Sequence, residues 1–182
     1  MIQVQAGDLV FSGKRKPGWY STIVMWATRS KFSHCFPIVG TALGELCALE
    51  ADLDVTMVSW QAEYVDKQID YYEVWRPVKA PDDAIAFAGK YCFDHFAEEV
   101  YGFSAIPWFL ARSILARVGV RLKRNWFTGM VCSSLLYEYW KALGTPYTQM
   151  LTPFASNTVD PQELRDLVSA NRDCFVFVGE RT

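Results

Sequence analysis

The chain is poor in the residues that most reactive sites need. It has two histidines, His34 and His95, in 182 residues, so a catalytic imidazole has few places to be. Its five cysteines (Cys35, Cys47, Cys92, Cys132 and Cys174) are odd in number and include no Cys-x-x-Cys pair. That argues against a disulfide framework or a structural zinc site and leaves most of them as small buried hydrophobes. Neither sign of charge is in excess. Lys and Arg total 18 against 20 Asp and Glu, a formal net charge of −2, which speaks against a general nucleic-acid binder. Long apolar runs are missing too: Ala105-Ile-Pro-Trp-Phe-Leu-Ala111 is far too short to cross a bilayer. The opening Met1-Ile-Gln-Val-Gln-Ala-Gly-Asp8 lacks a charged segment followed by an apolar one, so no signal peptide is expected. The expectation is synthesis in the cytoplasm, with delivery outside the cell or in a virion needing another route.

What is present suits one folded domain over 1–182. Hydrophobic residues make up 51% and aromatics 15%, enough for a full core and too much for disorder. Gly7 to Phe11 reads as a strand, and Ser21 caps a helix running to Thr28. His34–Val39 and Glu45–Glu50 read as a hairpin bracketed by Gly40 and Gly44. Val55–Trp60 and Tyr71–Pro77 are further strands. Pro81 opens a helix reaching Phe96, and Ser104–Val118 has a second helical pattern. A third helix runs from Cys132 to about Ala142 and stops at Gly144-Thr-Pro146. Asp160-Pro-Gln-Glu163 starts a short helix ending near Ala170, and Cys174–Val178 closes as a strand. The class is α+β, with strands early and again at the end.

The reactive candidates are Cys132 and His34. A cysteine at a helix N-terminus feels the positive end of the helix dipole, which favours thiolate. A neighbouring histidine can take that proton and return it to a leaving group. Glu50 is the best third member, because a carboxylate beside the imidazole fixes its tautomer and stabilises the imidazolium. A three-residue loop at Thr41-Ala-Leu43, with Gly40 opposite Gly44, would set His34 directly opposite Glu50, and the triad depends on that register. Adjacent strand residues point to opposite faces, so Cys35 is expected to pack in the core. Oxyanion donors would come from the free N–H groups at the Cys132 helix start, with Ser133 adding a hydroxyl or merely packing. A metal site from His34, Cys35 and Cys47 fits neither spacing nor facing, and His95 sits mid-helix. Arg112, Arg117, Arg121, Lys123 and Arg124 give a basic stretch, read as a solvated face before a lipid or glycan contact. Trp108, Phe109 and Trp126 would flank a groove or close the core.

Six short motifs, in order, resemble the circularly permuted branch of the NlpC-like papain-fold superfamily. They are Gly7-Asp-Leu-Val-Phe11, Ser33-His34 before a hydrophobic strand, Leu49-Glu50-Ala51, Val74-Trp-Arg-Pro77, Val131-Cys-Ser-Ser-Leu135, and Leu151-Thr-Pro153 before an acid-capped helix. The resemblance spans residue 7 to about 165. It implies a papain-like fold of permuted topology, with a small antiparallel sheet or barrel packed against helices. Cys132 would be the nucleophile, His34 the base and Glu50 the orienting acid, with Ser33 and Ser133 at the pocket and neither cofactor nor metal required. The chain departs from the branch at Cys35, Phe36 and Pro37, where a small aliphatic and a glycine are usual, and at Ser134, where an acid is common. The resemblance implies a cysteine peptidase or amidase acting on peptidoglycan or a similar peptide. A lipid acyl hydrolase or transferase is the alternative within the class. Outside it stands a non-catalytic module of a larger assembly such as a phage particle.

Overall fold

In the computed structural model, described for residues 2–52, 54–67, 70–97, 111, 115, 131–154, 156 and 159–182, six antiparallel strands form one sheet packed against helices. The strands are β1 (Leu9–Lys14), β2 (His34–Ala42), β3 (Glu45–Ala51), β4 (Val55–Ser59), β5 (Asp70–Pro77) and β6 (Phe175–Arg181). Their order across the sheet is β4-β3-β2-β1-β5-β6. The helices are α1 (Trp19–Thr28), α2 (Asp82–Phe96), α3 (Cys132–Leu143), α4 (Tyr147–Met150) and α5 (Pro161–Ala170), and a π-helix occupies Gln61–Asp66. The aromatic and basic residues of the 104–126 stretch lie outside the described residues.

Strand alternation divides the core in two. Leu9, Phe11, Cys35, Leu49 and Ala51 join Cys92, Leu135, Tyr139 and Trp140 in a cluster on the helix-packed face. Val10, Phe36, Ile38, Ala48 and Val74 join Trp60, Tyr64 and Tyr72 in a second cluster on the other. β1 is central and buried on both faces, which is why its first half, Leu9-Val-Phe11, is apolar without alternation. Helix α3 buries Cys132, Leu135, Leu136, Tyr139, Trp140 and Leu143, the three-and-four spacing of one helical face. Each such side chain contributes about 1.5–3 kcal/mol of apolar transfer. Gly89 lets α2 come down onto the sheet: a Cβ there would lie 2.9 Å from Val39 Cβ.

Two of the sequence motifs meet in one ion pair. Asp8, wholly buried, receives two hydrogen bonds from Arg76, Nε to Oδ1 at 2.7 Å and Nη2 to Oδ2 at 2.9 Å. The pair ties the start of β1 to the end of β5. Glu73 is also buried, and Arg165 and Lys31 reach it at 2.9 and 3.1 Å. These contacts hold its carboxyl below the usual range, although burial alone would raise it.

The expected helices at 81–96, 132–142 and 160–170 form within a residue or two of their expected ends. Asp160 and Glu163 make a reciprocal capping box at the last of them. Helix α1 starts earlier than expected: Gly18, not Ser21, is its N-cap, and no side chain caps it. Ser21 faces a cavity instead. The hairpin loop also differs. Ala42 pairs with Glu45, so the turn is two residues, Leu43 and Gly44, with φ of 53° and 85°. Two residues in the left-handed region are what a primed hairpin turn requires.

Candidate active site

The register error at the turn is cancelled by a bulge. From Ala42↔Glu45 to Gly40↔Cys47 the pairing would put His34 and Glu50 on opposite faces. Val39 then bulges out, and the pairing resumes at Ile38↔Ala48. One extra residue restores the parity, so His34 and Glu50 share the face that also carries Phe36. They are not cross-strand partners, as the three-residue loop would have made them. Past Ile38, β2 stays with β1 as far as Ser12↔His34, while β3 stays with β4 as far as Ala51↔Val55. The site lies where these two strands part.

His34 Nε2 stands 4.0 Å from Glu50 Oε2. Glu50 Oε1 accepts a hydrogen bond from the Tyr64 hydroxyl. The imidazole packs on Phe36, with ring centroids 5.4 Å apart. Cys132 opens α3 from the helix side of the sheet, in the same core cluster as Cys35, and is coupled electrostatically to both His34 and Cys35. Cys35 is fully buried in the core, as its alternation predicts. It nevertheless reaches Cys132, which the facing argument did not anticipate, because Cys132 belongs to the same core cluster.

These contacts separate charge. The Cys35 hydrogen bond lowers the Cys132 thiol first; burial opposes it, and the His34 charge and hydrogen bond add to the lowering. The result lies well below the ordinary thiol value. Burial works against a charged His34, but the Cys132 thiolate and its hydrogen bond, then Glu50 and Asp52, raise it to about 9. The Cys35 thiol is pushed up, chiefly by burial and then by the charge on Cys132. The two thiols are therefore shifted in opposite senses, Cys132 toward thiolate and Cys35 toward thiol. Burial raises the Glu50 carboxyl, while His34 and Tyr64 pull it back.

A cavity of about 380 Å³ adjoins this group, with His34, Glu50, Ser33, Ser12, Lys14 and Asp52 among its lining residues. Its walls are largely polar. Cys132 does not line it and is 4% exposed. Ser33 takes the expected place at the pocket. Ser133 does not: its hydroxyl donates to the Val159 carbonyl at 2.7 Å and its side chain is buried, so it pins α3 to the segment before α5. Ser134 does the same to the Ser156 carbonyl at 2.8 Å. His95 lies at the far end of α2 against Tyr91, and the Cys47 thiol donates to its neighbour's carbonyl at Glu45. Sequence reasoning missed Tyr64. The one available signal was Trp60 and Tyr64, aromatic residues four apart after a strand.

No protein-family model matches the chain, and no curated protein matches it. Among solved structures, one described as the metalloprotein yiiX from Escherichia coli O157:H7 (DUF1105) is similar over 97% of both chains, with a TM-score of 0.56 and 16% identity. At that identity the likeness extends to the fold alone. Among the described residues, no group of three or more His, Cys, Asp or Glu could hold a metal ion. Among the described residues, no helix is long and apolar enough to cross a membrane.

Proposed function

We propose that this protein is a cysteine hydrolase of the permuted NlpC-like papain type, cleaving an amide bond, with peptidoglycan peptides as the leading substrate class. One observation carries the reading: Cys132, His34 and Glu50 converge from a helix start and two strands, with the thiol shifted down and the imidazole up to about 9. A thiolate–imidazolium pair at neutral pH is the ground state such chemistry needs. Cys132 Sγ attacks the carbonyl carbon, and the N–H groups that open α3 face the developing oxyanion. His34 gives its proton to the departing amine. It then takes a proton from water, which hydrolyses the thioester and frees Cys132. Glu50 Oε2 holds the imidazole in place. The polar lining of the cavity supports a peptide or another polar amide over an acyl chain.

The low exposure of Cys132 favours a second reading, a papain-like scaffold kept for binding within a larger assembly. Labelling with a thiol-reactive probe across pH separates the two. The hydrolase reading expects fast labelling near neutral pH that vanishes in Cys132→Ala and weakens in His34→Ala. Slow labelling spread over several cysteines and indifferent to His34→Ala would sink it. Given selective labelling, hydrolysis of muropeptides compared with acylated lipids decides the substrate class.

A further inference from the structure

Glu50 is held by its two oxygens in different ways. Oε2 faces His34 Nε2 at 4.0 Å, and Oε1 is taken by the Tyr64 hydroxyl. We propose that Tyr64 is a positioning residue of the site, acting through Glu50 to keep the carboxylate turned toward His34. The inference rests on the hydrolase reading of Cys132, His34 and Glu50.

Tyr64 is built in for this position. It is 8% exposed and lies on the π-helix Gln61–Asp66, directly after β4. Such widened turns are uncommon and recur at functional sites, because the extra residue re-aims a side chain. Trp60 stacks on the Tyr64 ring at 5.2 Å and 14°, and Phe36 packs on it at 4.7 Å. Phe36 also packs on the His34 ring, so one aromatic side chain braces both ends of the Tyr64–Glu50–His34 chain. The Tyr64 carbonyl accepts a hydrogen bond from Arg181 on β6 at 3.2 Å. Ring and backbone are both fixed, and the hydroxyl has little freedom to turn from the carboxylate. Phe36, a departure from the family pattern at sequence level, thus has a use here.

The need for the donor follows from burial. Glu50 is 12% exposed, and burial favours its neutral form. Asp52 at the end of β3 and Glu63 on the π-helix are like charges that push the same way. His34 and the Tyr64 hydroxyl oppose them. Lys14 and Lys67 also line the cavity, Lys67 paired with Glu63. A neutral Glu50 cannot stabilise the imidazolium, and a weaker imidazolium stabilises the Cys132 thiolate less.

The test is Tyr64→Phe, which keeps the ring and removes the hydroxyl. Iodoacetamide alkylation of Cys132 is followed from pH 4 to 8 in the full chain, with Glu50→Gln and the double variant alongside. The expected result for Tyr64→Phe is an acid midpoint raised by about one pH unit, about tenfold less thiolate below it, the scale of one hydrogen bond to a charged group. In the Glu50→Gln background the same substitution should change nothing further, a coupling that a general structural role would not give. An unmoved midpoint, or a loss that simply adds to that of Glu50→Gln, overturns the proposal while leaving the hydrolase reading intact. Failure of wild type to alkylate selectively at Cys132 overturns the hydrolase reading itself.

Discussion

Removing the Cys132 thiol should change when His34 holds its proton, and the size follows from the charges around it. His34 sits at about 9 against an ordinary 6.5, a preference for imidazolium of about 3 kcal/mol at 1.4 kcal/mol per pH unit. Its folded value is above its unfolded one. The stabilisation is therefore complete below pH 6.5 and lost as pH rises through about 9. Cys132 is shifted in the other sense. Its contribution is present above the ordinary thiol range and is lost as pH falls through the depressed folded value. In Cys132→Ala the two leading causes that raise His34 disappear. Burial, which lowers it, stays, and only Glu50 and Asp52 remain to oppose it. The His34 midpoint should fall by more than about one pH unit. An NMR titration of the imidazole signals reads this directly, and with two histidines His95→Gln completes the assignment. A wild-type midpoint already near 6.5, or one unchanged in Cys132→Ala, would show that no thiolate–imidazolium pair exists.

Other consequences concern the frame around the site. Leu43→Asn should stabilise the fold by about 1 kcal/mol, read as a higher urea midpoint, because an exposed leucine now occupies a left-handed turn position that asparagine tolerates. Arg76→Ala leaves Asp8 buried without its partner and should cost about 3 kcal/mol in chemical denaturation; a loss under about 1 kcal/mol would mean that the pair is worth no more than a surface bridge. Asp160→Ala removes half of the capping box on α5 and should cost about 1 kcal/mol, read as a lower urea midpoint.

How much of this was legible in the chain differs from element to element. The α2, α3 and α5 ends were readable because Pro81, Gly144 and Asp160 carry local backbone signals that need no partner. The hairpin was readable from Gly40 and Gly44, but its register was not. Leucine is an unusual residue for a primed turn, and nothing local announces the Val39 bulge. The two errors in counting cancelled, so His34 and Glu50 share a face for a reason other than the one their spacing suggested. Of the two readings open for Ser133, a pocket hydroxyl or simple packing, the structure shows packing, and the sequence could not decide because its acceptor, the Val159 carbonyl, is 26 residues away.

The sequence by itself determined the α+β class, the positions of α2, α3 and α5 and which residues have the chemistry for a thiol–imidazole pair. Those features depend on local propensity, alternation and side-chain type. Tertiary structure alone decided that Asp8 and Arg76 are one pair, that Cys35 shares a core cluster with Cys132, and that Tyr64 closes on Glu50. Each joins residues 14 to 97 positions apart, and proximity over such distances comes from burial and strand pairing across the whole sheet. The same holds for charge. A cysteine and a histidine have their ordinary affinities for protons until burial and a specific neighbour move them, and only the packed core supplies both.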